Sequence, residues 1–357
     1  MILRPLVAYN WQTILSWIEL EPWNYMAQTR IAVMHVLVIG GTGFIGEPTT
    51  RLLQNRGVQV SVLARGGTAN PFDEDVQVHL GDRTDRAVLE EIHASVDPDI
   101  VVDLAGFYPA DVEMSLEVFR DIDHFVYVST VSAYANRPFP IVEDETPLLP
   151  CADGAASDRS FETYGERKAE CERRVMDAVN AGLHATILRP VQVFGPRDGT
   201  ERVDYWIDRV NHRDRLLVPG DGTNVTHQVF VDDVATAIDV LIDNGKTGQA
   251  YNCGARQAVP LRTTIKRIAA CLDTEVELIY ASERELGNHC TREDFPVYSD
   301  NPYAVDTDRL VSLGWETTDP MVAMQRAVDA HVESDRDGRR HGPTYEEESQ
   351  MIESLLS

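Results

Sequence analysis

The sequence predicts an α/β protein with a doubly wound parallel sheet and a smaller, mixed C-terminal lobe. Two patterns support this fold class. From His35 onward, short apolar runs alternate with segments of helical spacing, and the connections between them are short. The first apolar run also ends in a cluster of glycines. Strands that alternate with helices pair in parallel through right-handed crossovers, so helices cover both faces of the sheet.

Apolar runs predict the strands, and apolar residues three and four positions apart predict the helices. The predicted strands are His35–Ile39, Val58–Leu63, Val76–Leu80, Ile100–Leu104, His124–Val128 and Ala185–Leu188. The predicted helices are Phe44–Arg56, Asp85–Ser95, Asp111–Arg120 and Phe161–Ala181. Between them, Asn136–Ser160 is rich in Pro, Asp and Ser and is predicted to be a long loop. Shorter elements after Gly195 predict the smaller lobe.

The charge balance excludes some functions. The chain carries 58 acidic and 32 basic residues, a formal net charge of -26, and only three of the basic residues are lysines. Such a surface repels a phosphate backbone, which argues against nucleic acid as a partner. Our hypothesis is a halophilic, for example haloarchaeal, source; the alternative is an acidic protein of a GC-rich genome.

Cysteine usage and hydropathy indicate the cellular compartment in which the protein is expected. The five cysteines form no C-x-x-C pair, which argues against a zinc site or a disulfide framework and favours a reducing cytoplasm. We expect no bound metal. No run of 18 apolar residues is present, so no membrane span is expected.

Residues 1–33 differ from the rest of the chain. They hold three of the five tryptophans and carry no net charge. Two interpretations are open: a docking helix, or an extension upstream of a true start at Met34. We favour the second, in which residues 1–33 are not native.

The strongest motif runs from Gly40 to Gly46, between the first predicted strand and the first predicted helix. Gly40, Gly43 and Gly46 let the turn close, let the backbone approach a pyrophosphate, and let the helix pack on the strand. The N-terminus of the helix then faces the phosphates. The alternative, a purely structural glycine turn, fits poorly with the β-α-β pattern that follows.

Two further patterns suggest acid–base chemistry. Tyr164 and Lys168 lie four residues apart on a predicted helix, which places them on one face. A nearby ammonium favours the phenolate and can bring a tyrosine toward working pH. Ser129 and Thr130 directly follow a strand, where open α/β sheets bind ligands. An ordinary amphipathic helix and a helix N-cap are the structural alternatives.

Taken together, these motifs resemble the extended branch of the short-chain dehydrogenase/reductase superfamily, the NAD-dependent epimerase/dehydratase group. The resemblance runs from about His35 to His331 and includes a subgroup similar to chloroplast stem-loop-binding proteins. The motifs that carry it are GGTGFIG (40–46), Gly81-Asp82, DLAG (103–106), VYVSTVSAY (126–134), YGERK (164–168), LRPVQVFGP (188–196), FVDDVA (230–235) and LGW (313–315).

The resemblance implies a Rossmann fold, a hydride transfer at a secondary alcohol carbon of a sugar or sugar-like substrate, and a homodimer. It implies that Thr130, Tyr164 and Lys168 are catalytic. The implied cofactor-binding residues are Gly40, Gly43, Phe44, Ile45, Gly46, Asp82, Ala105, Gly106, Tyr164, Lys168, Pro190 and Val193. Arg65 is a further cofactor-binding candidate, from its position at the end of the second strand. It divides the chain into a dinucleotide-binding domain (34–195, with strands from 225–253), an interleaved substrate lobe (196–334) and a polar tail (335–357) that is expected to be poorly ordered.

Departures from the family pattern limit the substrate. Val131-Ser132 follow the threonine where 4,6-dehydratases carry Asp-Glu, and Thr226-His227 stand where nucleotide-sugar enzymes place an arginine. Candidates for holding a polar substrate are therefore Gln192, Arg197, Tyr205 and Trp206, with loop packing as the alternative for each. A non-catalytic or RNA-binding module is the second function class, and the intact Tyr–Lys pair favours the enzyme.

The end of the second strand bears on cofactor choice. NAD enzymes of this fold place Asp or Glu there, but this strand is followed by Arg65 and no carboxylate appears before Asp73. Arg65 could grip a 2′-phosphate, so NAD or NADP is expected with a slight preference for NADP. The alternative is that Arg65 lies across the adenine ring or points to solvent.

Overall fold

The structure is a computed structural model that describes residues 34–357, except residues 68, 69, 74, 137, 288 and 289. The two interpretations of residues 1–33 concern positions outside the described residues.

The described chain alternates strands and helices, as the sequence predicts. The strands are β1 (His35–Ile39), β2 (Gln59–Ala64), β3 (Gln77–Leu80), β4 (Ile100–Asp103), β5 (His124–Val128), β6 (Ala185–Pro190), β7 (Gln192–Phe194), β8 (Arg215–Pro219), β9 (Val225–Thr226), β10 (Gln228–Phe230), β11 (Ala250–Cys253), β12 (Val259–Pro260) and β13 (Glu277–Ala281). The helices are α1 (Gly46–Asn55), α2 (Arg86–Val96), α3 (Pro109–Val118), α4 (Tyr164–Asn180), α5 (Arg202–His212), α6 (Val231–Asn244), α7 (Leu261–Cys271), α8 (Glu283–Leu286), α9 (Asp308–Val311), α10 (Pro320–Val332) and α11 (Tyr345–Leu356).

Seven of these strands form one sheet in the order β11-β6-β5-β4-β1-β2-β3, and every neighbouring pair is parallel. The order reverses direction between β1 and β4, so the carboxyl ends of these two strands border a crevice. The predicted doubly wound α/β fold is confirmed. β11 joins the sheet from the segment 225–253.

Successive residues of each strand point to opposite faces of the sheet, and apolar residues are buried on both faces. Val36 and Val38 of β1 belong to a cluster that includes Leu53 of α1 and Ile238 of α6. Leu37 of β1 belongs to a second cluster, formed with α2, α3 and α4. Helices therefore cover both faces, which fixes the edge at which the strands end.

A separate apolar cluster forms the C-terminal lobe. α5, α7 and α10 pack on one another, and β8 pairs in parallel with β13. Trp206, Leu217 and Ile265 are fully buried there. β7 and β10 pair in parallel outside the main sheet, where the two parts of the chain meet.

The expectation of a poorly ordered polar tail is wrong for its last part. α11 begins at a capping box made by Thr344 and Glu347. Met351 and Ile352 are 5% exposed and belong to the lobe's apolar cluster. The sequence is misleading here because Glu348, on the same face, is buried through an ion pair with Arg209.

Candidate active site

The turn between β1 and α1 brings backbone segments too close for side chains. Gly40 has a φ of +87°, a left-handed conformation that favours glycine. A Cβ on Gly46 would lie 2.2 Å from the Gly40 carbonyl oxygen, and one on Gly43 would lie 3.2 Å from it. Phe44 and Ile45 pack their side chains against the core. The tight turn therefore places the start of α1 close to the end of β1. The first N–H groups of the helix, which have no helical carbonyl as a partner, lie at this position.

The segment after β4 lies against this turn. A Cβ on Gly40 would be 3.2 Å from the Ala105 Cβ. The Ala105 N–H donates to Asp103 Oδ1 at 3.0 Å, and the Gly106 carbonyl accepts from the Tyr127 hydroxyl at 2.8 Å. Two of the segments predicted to hold the cofactor are thus in contact.

Lys168 is held rigidly below the edge of the sheet, with 2% of its surface exposed. Its Nζ donates to the carbonyls of Gly106 and Val128, both at 2.8 Å, and lies 4.3 Å from the centre of the Tyr127 ring. Burial lowers the pKa of Lys168 to about 8, although the Asp103 charge opposes this shift. The ammonium is thereby fixed one helical turn after Tyr164.

The two hydroxyls predicted for chemistry meet at the carboxyl edge of the sheet. Tyr164 begins α4, and the side chain of Thr130, two residues after β5, acts on its phenol and lowers the phenol pKa. Thr130 Oγ1 also accepts from the Ser132 N–H at 3.2 Å, so its orientation is fixed. The ring of Tyr164 stacks on Phe161 with the centroids 5.6 Å apart.

The pKa of Tyr164 differs from the expectation. Burial raises it, and the hydrogen bond with Thr130 opposes the rise without cancelling it. We expected Lys168 to bring the pKa of Tyr164 toward neutral, but burial has the largest influence on this pKa and raises it. Both N–H···O bonds of Lys168 point to backbone carbonyls.

Gly165 is a functional position that the sequence analysis missed. A Cβ there would lie 2.3 Å from the Ser132 carbonyl oxygen. Because the backbones of α4 and the turn after β5 touch at this point, Tyr164 can reach Thr130. A glycine in the first turn of a helix is intrinsically unfavourable, and this was the available signal.

Two buried ion pairs support the site, and the sequence analysis missed them as well. Arg83 Nη1 lies 2.7 Å from Asp103 Oδ1, and Arg189 Nη2 lies 2.6 Å from Glu172 Oε2. The first pair connects the segment after β3 to β4, and the second connects β6 to α4. Both pairs therefore fix elements that carry Ala105 or Lys168. Such pairs are visible only once the fold brings distant residues together.

Asp82 and Arg65 lie at the ends of β3 and β2, both exposed. Asp82 Oδ1 accepts from the N–H and hydroxyl of Thr84, both at 2.9 Å, and these bonds lower the pKa of Asp82. The charge of Arg65 acts on Asp82, but no described carboxylate forms a salt bridge with Arg65.

The predicted nicotinamide-end residues lie at the end of β6 and in β7. Pro190 ends β6 and pairs with Cys253 of β11. Gln192 and Val193 are half-buried in β7, where Gln192 pairs with Gln228. Their predicted contacts stay predictions.

Two of the predicted substrate residues are wrong. Tyr205 and Trp206 are fully buried in α5, and the Trp206 indole N–H donates to the Pro296 carbonyl at 2.8 Å. They belong to the lobe core, because α5 buries almost its whole length. Arg197 instead lies on the loop before α5, with a φ of +65°, and forms an ion pair with Glu47 in the first turn of α1.

Among the described residues, no group of His, Cys, Asp or Glu side chains is arranged to hold a metal ion. No described helix is long and apolar enough to cross a membrane.

The glycine turn fits a dinucleotide-binding motif, since a Cβ at Gly46 would lie 2.2 Å from the Gly40 carbonyl oxygen and only glycine lets α1 start this close to the turn. With Tyr164, Thr130 and Lys168 at the same edge of the sheet, fold and site together define a nicotinamide-dependent enzyme of the short-chain dehydrogenase/reductase type. A model of the NAD dependent epimerase/dehydratase family matches residues 36–254. The chain belongs to this family, which confirms the predicted family and enzyme class.

Several characterised proteins are similar to this chain. Low-salt glycan biosynthesis protein Agl12 of Haloferax volcanii is 28% identical, over 79% of this chain and 93% of that protein. Chloroplast stem-loop binding protein of 41 kDa b of Arabidopsis thaliana is 24% identical, over 79% and 74%. The crystal structure of Thermus thermophilus UDP-glucose 4-epimerase in complex with NAD is 22% identical, covers 84% of this chain and 100% of that chain, and has a TM-score of 0.67.

Proposed function

We propose that this NAD-dependent enzyme oxidises a secondary alcohol on a sugar or sugar-like small molecule and returns the hydride to the opposite face of the transient ketone, as an epimerase does. The observation that carries the proposal is the convergence of Tyr164, Thr130 and the buried cation of Lys168 at the carboxyl edge of the sheet. Agl12 and the UDP-glucose 4-epimerase support the substrate class, as similar proteins.

In this proposal a nicotinamide cofactor held at the Gly40–Gly46 turn would supply the hydride acceptor and donor. Thr130 orients the substrate hydroxyl, and the phenolate oxygen of Tyr164 takes its proton as the C–H bond gives up its hydride. Tyr164 returns that proton to the carbonyl oxygen when the hydride comes back. Lys168 holds positive charge close to the site, where it stabilises the phenolate form of Tyr164 before the proton is taken up.

The route of the hydride tests the reaction class. We expect NAD to be released when the purified full-length protein is denatured. In D₂O, with UDP-glucose, UDP-glucuronic acid and their free sugars as probes, we expect an epimer that keeps its original hydrogen at the inverted carbon. Deuterium at that carbon, measured by proton NMR, would show proton abstraction instead and overturn the proposal.

NADP acceptance is the finer proposal on the cofactor. The end of β2 carries Arg65, without a described salt-bridge partner, where a carboxylate would repel a 2′-phosphate. We expect Arg65→Ala to weaken NADP binding by about tenfold and leave NAD binding unchanged, because only NADP has the charge that the guanidinium contacts. The measurement is fluorescence titration of NADH and NADPH; Arg284→Ala, at another exposed arginine, is the control. An equal loss for both nucleotides would show that Arg65 does not read the 2′ position.

Three further proposals rest mainly on the sequence. A homodimer through α3 and α4 follows from the family resemblance. A reducing, cytoplasmic location is supported by the cysteines, all five of which are free thiols. A halophilic surface is supported by the net charge of -26, which also disfavours the RNA-binding alternative.

A further inference from the structure

Buried polar atoms without hydrogen-bond partners are gathered in the short segment from Asn224 to Gln228. Four such atoms have no partner among the described residues, namely Asn224 Nδ2, Asn224 Oδ1, Thr226 Oγ1 and Gln228 Nε2. Thr226 is 2% exposed and Gln228 is 8% exposed. Since buried polar groups in proteins are almost always hydrogen-bonded, unpartnered atoms in one place indicate that a molecule outside the chain completes their bonding.

These side chains lie on one face of the chain. Thr226 ends β9, Gln228 begins β10, and Asn224 directly precedes β9, so the three are alternate residues. Alternate residues of an extended chain point to the same side. Gln228 pairs in parallel with Gln192 of β7, which brings a fourth uncharged polar side chain to this face. We call Gln192, Asn224, Thr226 and Gln228 the polar strip.

His227, on the opposite face, fixes the backbone of the polar strip. Its ring is buried, and a Cβ on Gly254 would lie 2.6 Å from the ring. His227 Nδ1 accepts from the Val305 N–H at 3.1 Å, so Nε2 carries the proton and donates to the Ala255 carbonyl, 2.5 Å away. Burial lowers the pKa of His227, so this anchor is neutral at pH 7. The strip is therefore held in place before a ligand binds.

The immediate surroundings of the polar strip are uncharged. Besides each other, its residues pair with or hydrogen-bond through the backbone to Ala255, Val259 and Leu261. The arginines that follow two of these residues, Arg256 and Arg262, are exposed, and Arg256 pairs with Asp308. A diphosphate would therefore find no buried cation among these partners. Amide and hydroxyl side chains instead offer donors and acceptors to uncharged polar groups.

The polar strip starts beside the strand that leads to the reacting groups. β5 and β6 are neighbours in the sheet, and the Ser129 N–H donates to the Leu188 carbonyl at 2.7 Å. Thr130 follows Ser129, and Gln192 opens β7 directly after β6 ends at Pro190. From the strand next to Thr130, the strip thus leads along the boundary with the C-terminal lobe.

Resting on the proposed function, we propose that the polar strip is a specificity-determining subsite for a neutral sugar, which it binds through hydroxyl or amide groups other than the reacting alcohol. Each glutamine offers an amide donor and an acceptor, and the Thr226 hydroxyl can do both. The substrate class is therefore an uncharged sugar or an acylated amino sugar rather than a nucleoside diphosphate sugar.

Thr226→Val separates a ligand subsite from a structural role. Valine has nearly the same shape, so the variant removes an unpaired buried hydroxyl without leaving a cavity. We expect the melting temperature of the full-length, NADH-loaded protein without sugar to rise by about 2–4 °C. A hydroxyl that stabilises the fold would give a fall instead.

Thr186→Val is the matched control. Thr186 is also buried in a strand, but its hydroxyl lies 2.9 Å from His124 Nε2. Its substitution breaks a formed hydrogen bond, so the melting temperature should fall while sugar binding stays unchanged.

Binding is measured by ligand-observed NMR on the same NADH-loaded protein, because NADH cannot oxidise an alcohol. The probes are glucose, N-acetylglucosamine and UDP-glucose. We expect at least one neutral sugar to bind, and UDP-glucose to bind no more than about threefold more tightly than that sugar. Thr226→Val should weaken the neutral sugar by about fivefold to tenfold, and Arg262→Gln should change nothing. The preferred sugar identifies the group as hydroxyl or amide.

The outcomes separate this subsite from the proposed reaction. A melting temperature that does not rise in Thr226→Val, sugar binding that the substitution leaves unchanged, or no binding of either neutral sugar would overturn the subsite. A stronger preference for UDP-glucose, or a loss of binding in Arg262→Gln, would overturn its uncharged character. The expected pattern in a protein that transfers no hydride would instead overturn the proposed reaction and leave the subsite standing.

Discussion

Tyr164→Phe is expected to lower the turnover number by about a hundredfold to ten-thousandfold, the range typical of a lost general acid–base group. The substitution removes the phenol oxygen on which Thr130 acts and keeps the ring that stacks on Phe161. Hydride transfer then has no group to take or return the alcohol proton. The measurement is steady-state turnover of the epimerised substrate, together with the amount of NAD that remains bound.

A matched control is available in Tyr108, which precedes α3 and lies under Arg167, with the guanidinium carbon 5.1 Å from its ring centre. Tyr108→Phe also removes one phenol oxygen, and we expect turnover within about twofold of the wild type because this hydroxyl forms no hydrogen bond among the described residues. NAD retention should match the wild type in both variants. Near-normal turnover in Tyr164→Phe would remove this tyrosine from the mechanism.

The sequence predicted where the candidate site residues lie when their position depends on local spacing. The turn from Gly40 to Gly46 joins one strand to one helix, so its role follows from a short motif. Lys168 follows from its spacing to Tyr164 on one helix. Thr130 follows from its place directly after β5. In each case the neighbouring element alone determines where the residue lies.

Features that depend on distant partners could not be predicted in this way. Tryptophan is a residue type that suits ligand binding. The indole N–H of Trp206, however, donates to a carbonyl 90 positions away in the sequence. Gly165 is required by the backbone of Ser132, which only the folded chain brings close. The rise in the Tyr164 pKa has the same origin, because burial is a property of the assembled site rather than of the Tyr–Lys spacing.

The second large effect is expected in α11, the C-terminal helix. Glu348→Ala should lower the free energy of unfolding by about 3–5 kcal/mol. Glu348 is fully buried, and its Oε2 accepts from Arg209 Nε at 3.1 Å. Its Oε1 accepts from the Leu217 N–H of β8 at 2.9 Å. The substitution leaves the Arg209 guanidinium, 1% exposed, without its counter-charge, and leaves a buried N–H without an acceptor.

Two companion substitutions make this test specific to the buried pair. Glu353 is exposed on the same helix. Glu353→Ala therefore makes the same Glu-to-Ala change in charge and helix propensity as Glu348→Ala, but at an exposed position. It should change the free energy of unfolding by less than about 0.5 kcal/mol. Glu348→Gln keeps an acceptor but loses the charge, and its effect should lie between the other two. All variants are compared by denaturant titration at one salt concentration, because the chain's net charge makes stability depend on salt. If Glu348→Ala and Glu353→Ala unfold alike, the helix is a dispensable appendage; if they differ as expected, these last residues are part of the lobe's core.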